Sequence, residues 1–175
     1  MKVNTPFKIM ETRAGIYIVD MPVTDEDILE KASDILLERA KTTRQVFSDP
    51  GASRDFLQRK MIDLEHETFA IIFLDNRHQL IAYEEMFRGT IDGASVYPRE
   101  VVKRALELNA AALIVSHNHP SGIADPSQAD IRITIRLKEA LALVDVRLLD
   151  HFVIGSSDTK EGPGGIASLA ELGHL

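Results

Sequence analysis

Five apolar residues, Ala111 to Val115, lead directly into Ser116-His117-Asn118-His119-Pro120-Ser121-Gly122. A short apolar run with β-branched residues suits a buried strand, and in a strand residues i and i+2 share a face. If extended geometry continues past the run, His117 and His119 point one way and Asn118 the other. Pro120 removes a backbone donor and Gly122 permits a sharp change of direction, so the strand ends just after the second imidazole. Beyond a short loop, Ser127 reads as a helix N-cap and Asp130 falls on the third residue of the first turn. From there its carboxylate can reach back to the paired imidazoles. Two neutral imidazoles and one carboxylate form a three-ligand set that leaves a fourth tetrahedral position for water, the arrangement of catalytic zinc sites. Zinc so held brings the pKa of its water to about 7, which suits hydrolysis at neutral pH. Taken separately, His-x-His occurs on many surfaces and Ser-x-x-Asp is an ordinary capping pattern. It is their joint spacing that points to a metal.

The absence of cysteine excludes a disulfide framework and leaves His and carboxylate as the side chains for a metal site. A net charge of −7 opposes non-specific binding to a phosphate backbone. The basic groups Arg54/Arg59/Lys60, Lys103-Arg104 and Arg132/Arg136/Lys138 read as solvated helix faces. The first residues lack the apolar stretch of a secretory signal, and no apolar run approaches the length of a membrane span, so the expected location is cytoplasmic and no membrane partner is expected.

In chain order, Phe7 to Met21 suggests a hairpin. Thr24 followed by Asp25, Glu26 and Asp27 marks a helix start, and Ile28, Ala32, Ile35 and Leu36 form an apolar stripe over residues 25 to about 41 that reads as core. Ser48-Asp49-Pro50-Gly51 is a strong turn signal. It divides the chain into an N-terminal extension, residues 1–50, and a main domain, residues 51–175. A second helix follows with Leu57, Met61 and Leu64 on one face. Phe69 to Leu74 reads as a central strand, with a hairpin partner from Gln79 to Met86 across Asp75-Asn76-Arg77-His78. Phe87 to Gly93 reads as irregular. Pro98 opens a helix that buries Val101, Val102, Ala105 and Leu106. The histidine strand, a helix from Ser127 to about Leu143, a strand from Val146 to Gly155 and a mobile loop from Ser156 to Gly165 complete the order. The expected class is α/β (α+β), a mixed sheet flanked by helices.

His117-x-His119-Pro120 followed by Ser127-x-x-Asp130 resembles the JAMM motif of the MPN/JAB metalloprotease fold. The words Glu67-Thr68-Phe69, Phe73-Leu74-Asp75, Phe87-Arg88-Gly89-Thr90, Pro98-Arg99-Glu100-Val101, His117 to Gly122 and Asp150-His151 are similar to its RadC branch. The likeness runs from about Phe56 to about Gly155. It implies the same mixed sheet, zinc on His117, His119 and Asp130, and hydrolysis of a peptide, isopeptide or smaller amide bond. Tyr97 departs from the pattern, standing where many RadC members carry His.

A zinc-bound water needs a base, and the candidates are Glu65, Glu67, Glu84 and Glu85. Glu67 opens the apolar strand where a polar residue can still face the site, and the family's Glu stands at the matching place, so Glu67 is taken as the catalytic base. Ser127 reads as a cap, while the resemblance implies a second role in supporting the oxyanion. His151 reads as a satisfied buried histidine, and His66, His78 and His174 as surface residues. Two further functions compete with hydrolysis. One is a DNA-repair or mobile-element accessory role, which the RadC name suggests. Longer members look as though they carry a helix-hairpin-helix segment ahead of the metal domain, and residues 1–50 show none. The other is a metal-bearing interaction module without turnover, which an intact set of Glu67, His117, His119 and Asp130 disfavours.

Overall fold

The structure, a computed structural model, describes residues 9–13, 16–19, 22–42, 46–47, 49–89, 96–155 and 165–175. The chain forms two compact units, residues 1–43 and residues 44–175. In the first, β1 (Ile9–Arg13) and β2 (Ile16–Val19) pair antiparallel, the hairpin expected there. The helix α1 (Asp25–Thr42) follows. Its start is closed reciprocally: Asp27 donates its amide to Thr24 Oγ1 (3.2 Å), and the Thr24 amide donates to Asp27 Oδ2 (2.8 Å). The stripe expected to be core is not buried, since Ile28 is 50% exposed, Ala32 is exposed, and Ile35 and Leu36 are only half-buried.

The division between units falls a few residues before the turn at Asp49-Pro50, because Phe47 belongs to the second unit. It is buried, its amide donates to the His78 carbonyl (2.8 Å), and its ring meets Phe56 edge to face. Asp49 then caps α2 (Pro50–Met61) through the Gly51 amide (2.9 Å). Leu57 and Met61 are fully buried, while Leu64 lies beyond the helix end.

The second unit is built on a five-stranded mixed sheet in the order β4-β3-β5-β6-β7. Its strands are β3 (Thr68–Leu74), β4 (Leu80–Arg88), β5 (Ala112–Asn118), β6 (Arg147–Ile154) and β7 (Ile166–Ser168). Only β5 and β6 pair in parallel. β3 and β5 are buried at every position, which is why both read as unbroken apolar runs. β4 continues through Phe87 and Arg88, two residues expected to be irregular, because they pair with Phe69 and Thr68. The remainder of that expected irregular stretch from Thr90 onward, and all but the last residue of the loop expected to be mobile, lie outside the described residues.

The helices α3 (Pro98–Glu107) and α4 (Gln128–Ala142) cover one face of the sheet. Val101, Ala105, Leu137 and Leu141 pack there on Phe69, Ile71, Phe73, Leu113 and Val115. Each buried Val, Leu, Ile or Phe of this cluster contributes roughly 2 kcal/mol, and together they form an apolar floor beneath the histidine end of β5. Leu106, expected to join it, is 55% exposed. On the opposite face α2 supplies Met61, whose sulfur accepts the Ser116 hydroxyl.

One irregularity positions a functional side chain. Leu113 pairs with Leu148 but Ile114 pairs with Asp150, so β6 carries one extra residue at this point. Such a bulge reverses the facing of everything after it. His151 therefore lies opposite Val115, on the face of His117.

Candidate metal centre

His117 lies within β5 and His119 one residue beyond it, where the His119 amide still donates to the Ile154 carbonyl of β6 (2.8 Å). Extended pairing thus persists past the strand end, and both imidazoles fall on the face covered by α4. The chain then turns at Gly122, whose φ is +82°. The returning loop lies so close to β6 that a Cβ at Gly155 would come within 2.4 Å of the Gly122 carbonyl oxygen. That approach brings the Ile123 carbonyl within 2.7 Å of His119 Nδ1.

Ser127 caps α4 and Asp130 completes a capping box: Asp130 N–H donates to Ser127 Oγ (3.2 Å) and Ser127 N–H to Asp130 Oδ2 (2.7 Å). The capping reading and the ligand reading of Asp130 are not exclusive. The same carboxylate places Oδ1 3.3 Å from His117 Nε2 and Oδ2 3.8 Å from His119 Nε2. His117 Nε2 and His119 Nε2 are 3.0 Å apart. Among the described residues, His117, His119 and Asp130 form a group whose ligand atoms all lie within 4.8 Å of one another, close enough for a single ion.

The donor set fits a divalent cation on chemical grounds. A carbonyl oxygen cannot donate, so His119 Nδ1 must carry the proton it shares with Ile123, which leaves a lone pair on Nε2. His117 Nε2 and the Asp130 oxygens converge on the same point. Two imidazole nitrogens and a carboxylate converging in this way form an N₂O set of the kind that suits zinc. Burial by itself raises the Asp130 carboxyl, yet the adjoining His117 and the Ser127 hydroxyl and amide outweigh it and hold the group well below the usual carboxylate range. The ligand oxygen is thus ionised at neutral pH. The His117 side chain is 2% exposed and that of His119 20%, so the centre opens to solvent on the His119 side.

Around His117 the interior is aromatic and polar together. Its ring stacks on Phe69 (6.3 Å between centroids, 9° between planes). His117 Nδ1 lies 2.8 Å from Nε2 of His151, which is fully buried, and His151 Nδ1 lies 2.6 Å from the Thr134 hydroxyl on α4. His151 was expected as a satisfied buried histidine and is one, but its partner is a proposed ligand. Burial first, and then the facing His117, push its pKa well below the ordinary histidine value.

The base candidates separate. Glu84 is engaged by Arg104 of α3, with Nε at 2.9 Å and Nη2 at 2.6 Å, so Arg104 is not the solvated charge expected from sequence. Glu65 is exposed and lines a cavity of about 380 Å³ with Asn118, His119 and Pro120. The Glu67 carbonyl accepts from the Gly89 amide (2.7 Å), so extended pairing with the β4 end continues through it. β3 pairs Phe69 with His117, and Glu67 stands two residues before Phe69, one before the strand begins. His66 and His174 are exposed as expected, while His78 is half-buried against a second cavity of about 430 Å³ on the far face.

A family model for the RadC-like JAB domain matches residues 47–173. A UPF0758 protein of Vibrio cholerae is 52% identical over 159 residues, 91% of this chain and 95% of its own length. UPF0758 proteins of Methylibium petroleiphilum and Cellvibrio japonicus are 55% and 59% identical over 148 and 130 residues, 85% and 74% of this chain. The chain spans 63% and 55% of the lengths of these last two relatives.

Proposed function

Because the chain belongs to the RadC-like JAB domain family, we propose that it is a zinc-dependent hydrolase of peptide, isopeptide or other amide bonds. The observation that carries this reading is the convergence of His117 Nε2, His119 Nε2 and the Asp130 carboxylate at a point reached from the exposed side of His119. These three residues would hold the ion. When bound, zinc supplies Lewis acidity toward a carbonyl oxygen and makes water acidic enough to release a proton near neutral pH. Glu67 accepts that proton at a carboxylate oxygen and passes it to the leaving amine. Ser127 Oγ accepts the Asp130 amide, and its hydroxyl, which also bears on the Asp130 carboxylate, would turn its proton to a substrate oxyanion. Metal analysis of the purified, zinc-loaded protein tests the reading, with about one zinc per chain expected and little in His117→Ala or His119→Ala. Absence of zinc from wild type, or undiminished zinc in either variant, overturns it.

No helix among the described residues is long and apolar enough to cross a membrane, and we place the protein in the cytoplasm. The competing role in DNA repair or mobile-element biology draws no support from charge, which is −7 over the chain. Duplex DNA should bind weakly at physiological salt. Submicromolar affinity in a fluorescence anisotropy titration would favour that role instead.

A further inference from the structure

Behind the three proposed ligands runs a chain of hydrogen bonds whose proton positions can be assigned. The Thr134 hydroxyl lies 2.6 Å from the Asp130 carbonyl and 2.6 Å from His151 Nδ1. It has one proton, and the carbonyl can only accept, so the hydroxyl donates to Asp130. The opposite assignment would leave two bare oxygens 2.6 Å apart in a buried site. Thr134 Oγ1 then accepts from His151 Nδ1–H. The neutral ring of His151 is left with a bare Nε2, which accepts from His117 Nδ1–H across 2.8 Å. The bonds form a continuous chain from the backbone of one proposed ligand, through Thr134 and His151, to the ring of another.

We propose that His151 and Thr134 are positioning residues that keep the His117 proton on Nδ1 and so present its Nε2 lone pair to the ion. The inference rests on the metal reading above and extends it to two residues that touch neither ion nor substrate. Reversal of the chain would put a proton on His117 Nε2, in the space the ion needs. The arrangement also fixes the plane of the His117 ring, already held against Phe69. Second partners of this kind orient a metal-bound imidazole, and their loss typically costs about 10- to 100-fold in metal affinity.

Zinc affinity by chelator competition in wild type, His151→Leu, His151→Gln and Thr134→Val provides one test. His151→Leu should weaken binding about 10- to 100-fold, and His151→Gln, whose amide oxygen can accept from His117, should recover most of the loss. Thr134→Val should fall between them. A role in packing alone predicts the reverse order, with Leu the better replacement. Long-range proton–nitrogen NMR correlations on the wild type, recorded metal-free and zinc-loaded, provide the other test. They should show protons on Nδ1 of both His117 and His151 and a bare His151 Nε2. Wild-type affinity in a folded His151→Leu, or a His151 proton on Nε2, overturns the inference. If His151→Leu does not fold, Thr134→Val and the NMR assignment decide. If wild type binds no zinc, the metal reading fails by itself, and the metal-free NMR spectrum still tests the proton assignment.

Discussion

Asn118 Oδ1 accepts the amide of Thr68 at 2.8 Å, joining residues 50 positions apart in the chain. Its Nδ2 donates to the carbonyls of Leu64 (3.0 Å) and His66 (3.1 Å). The asparagine between the two histidines thus faces away from them and spends its whole amide on residues 64–68. That segment carries Glu67. The His-Asn-His word therefore does two jobs with one alternation, aiming imidazoles at the proposed ion from one face and anchoring the proposed base from the other.

Asn118→Leu should separate these jobs. Zinc content should stay near wild type, because no ligand is removed. Turnover of an amide substrate should fall about 10- to 100-fold, since a displacement of about 1 Å costs that order of rate. The Thr68 amide and the Leu64 carbonyl lose this partner, while the His66 carbonyl keeps the Thr68 hydroxyl, so stability should also fall by about 1 to 3 kcal/mol, readable by urea denaturation. Loss of zinc in the folded variant would show that Asn118 supports the ligands and not the base.

Asp150 predicts a purely structural effect on the far face of the sheet. It accepts the Ser168 hydroxyl (2.7 Å) and the amides of His151 (2.7 Å) and Ala170 (3.1 Å), so it ties β6 to the turn after β7. Burial raises its carboxyl, and these three donors oppose that rise. Asp150→Ala leaves the donors without their acceptor and should cost about 2 to 3 kcal/mol, with Asp150→Asn recovering part of it. Denaturant midpoints of the three proteins check this.

What the sequence made legible was what short spacings control. The two residues from His117 to His119 and the three from Ser127 to Asp130 are fixed by strand and helix geometry, and each side chain lies where those periods put it. The partners of the site are not written that way. His151 joins His117 only because β6 bulges between Leu148 and Asp150, and a regular strand would have turned it to the opposite face. Asn118 meets Leu64 and His66 through the packing of a loop 52 to 54 residues away. β7, three residues long, was missed because so short an element has no period to read.

The buried His151 also fixes a direction for pH dependence. Burial and the facing His117 and His119 lower its pKa, while Asp130 acts the other way. The unfolded chain takes up a proton near pH 6.5 that the folded protein refuses, so stability rises with pH through that range. On acidification below about 6.5 this contribution should fall by up to about 1.4 kcal/mol per pH unit. Asp130 acts in the same direction in a lower pH window, with a depressed carboxyl whose contribution is complete above about pH 4 and is lost only in stronger acid. Urea denaturation between pH 5 and 8 with a chelator present should give a steeper slope for wild type than for His151→Gln. Equal slopes would show that His151 takes up its proton while folded.

Glu67 provides the sharpest division between ligand and base. Glu67 stands two residues before Phe69, the β3 partner of His117, and no ligand role is assigned to it. Glu67→Gln should therefore keep about one zinc per chain while losing the proton acceptor. Proton transfer by a positioned group contributes roughly 10² to 10⁴ fold, so turnover of an amide substrate should drop by about that much. Glu84→Gln should be mild in turnover, because Glu84 is held by Arg104. Glu85→Gln should be mild too, since Glu85 is exposed on β4. Glu65 is the rival that the structure brings forward, lining a cavity with His119. If Glu65→Gln loses turnover and Glu67→Gln keeps it, with zinc bound in both, the base belongs at position 65 and the assignment of Glu67 fails.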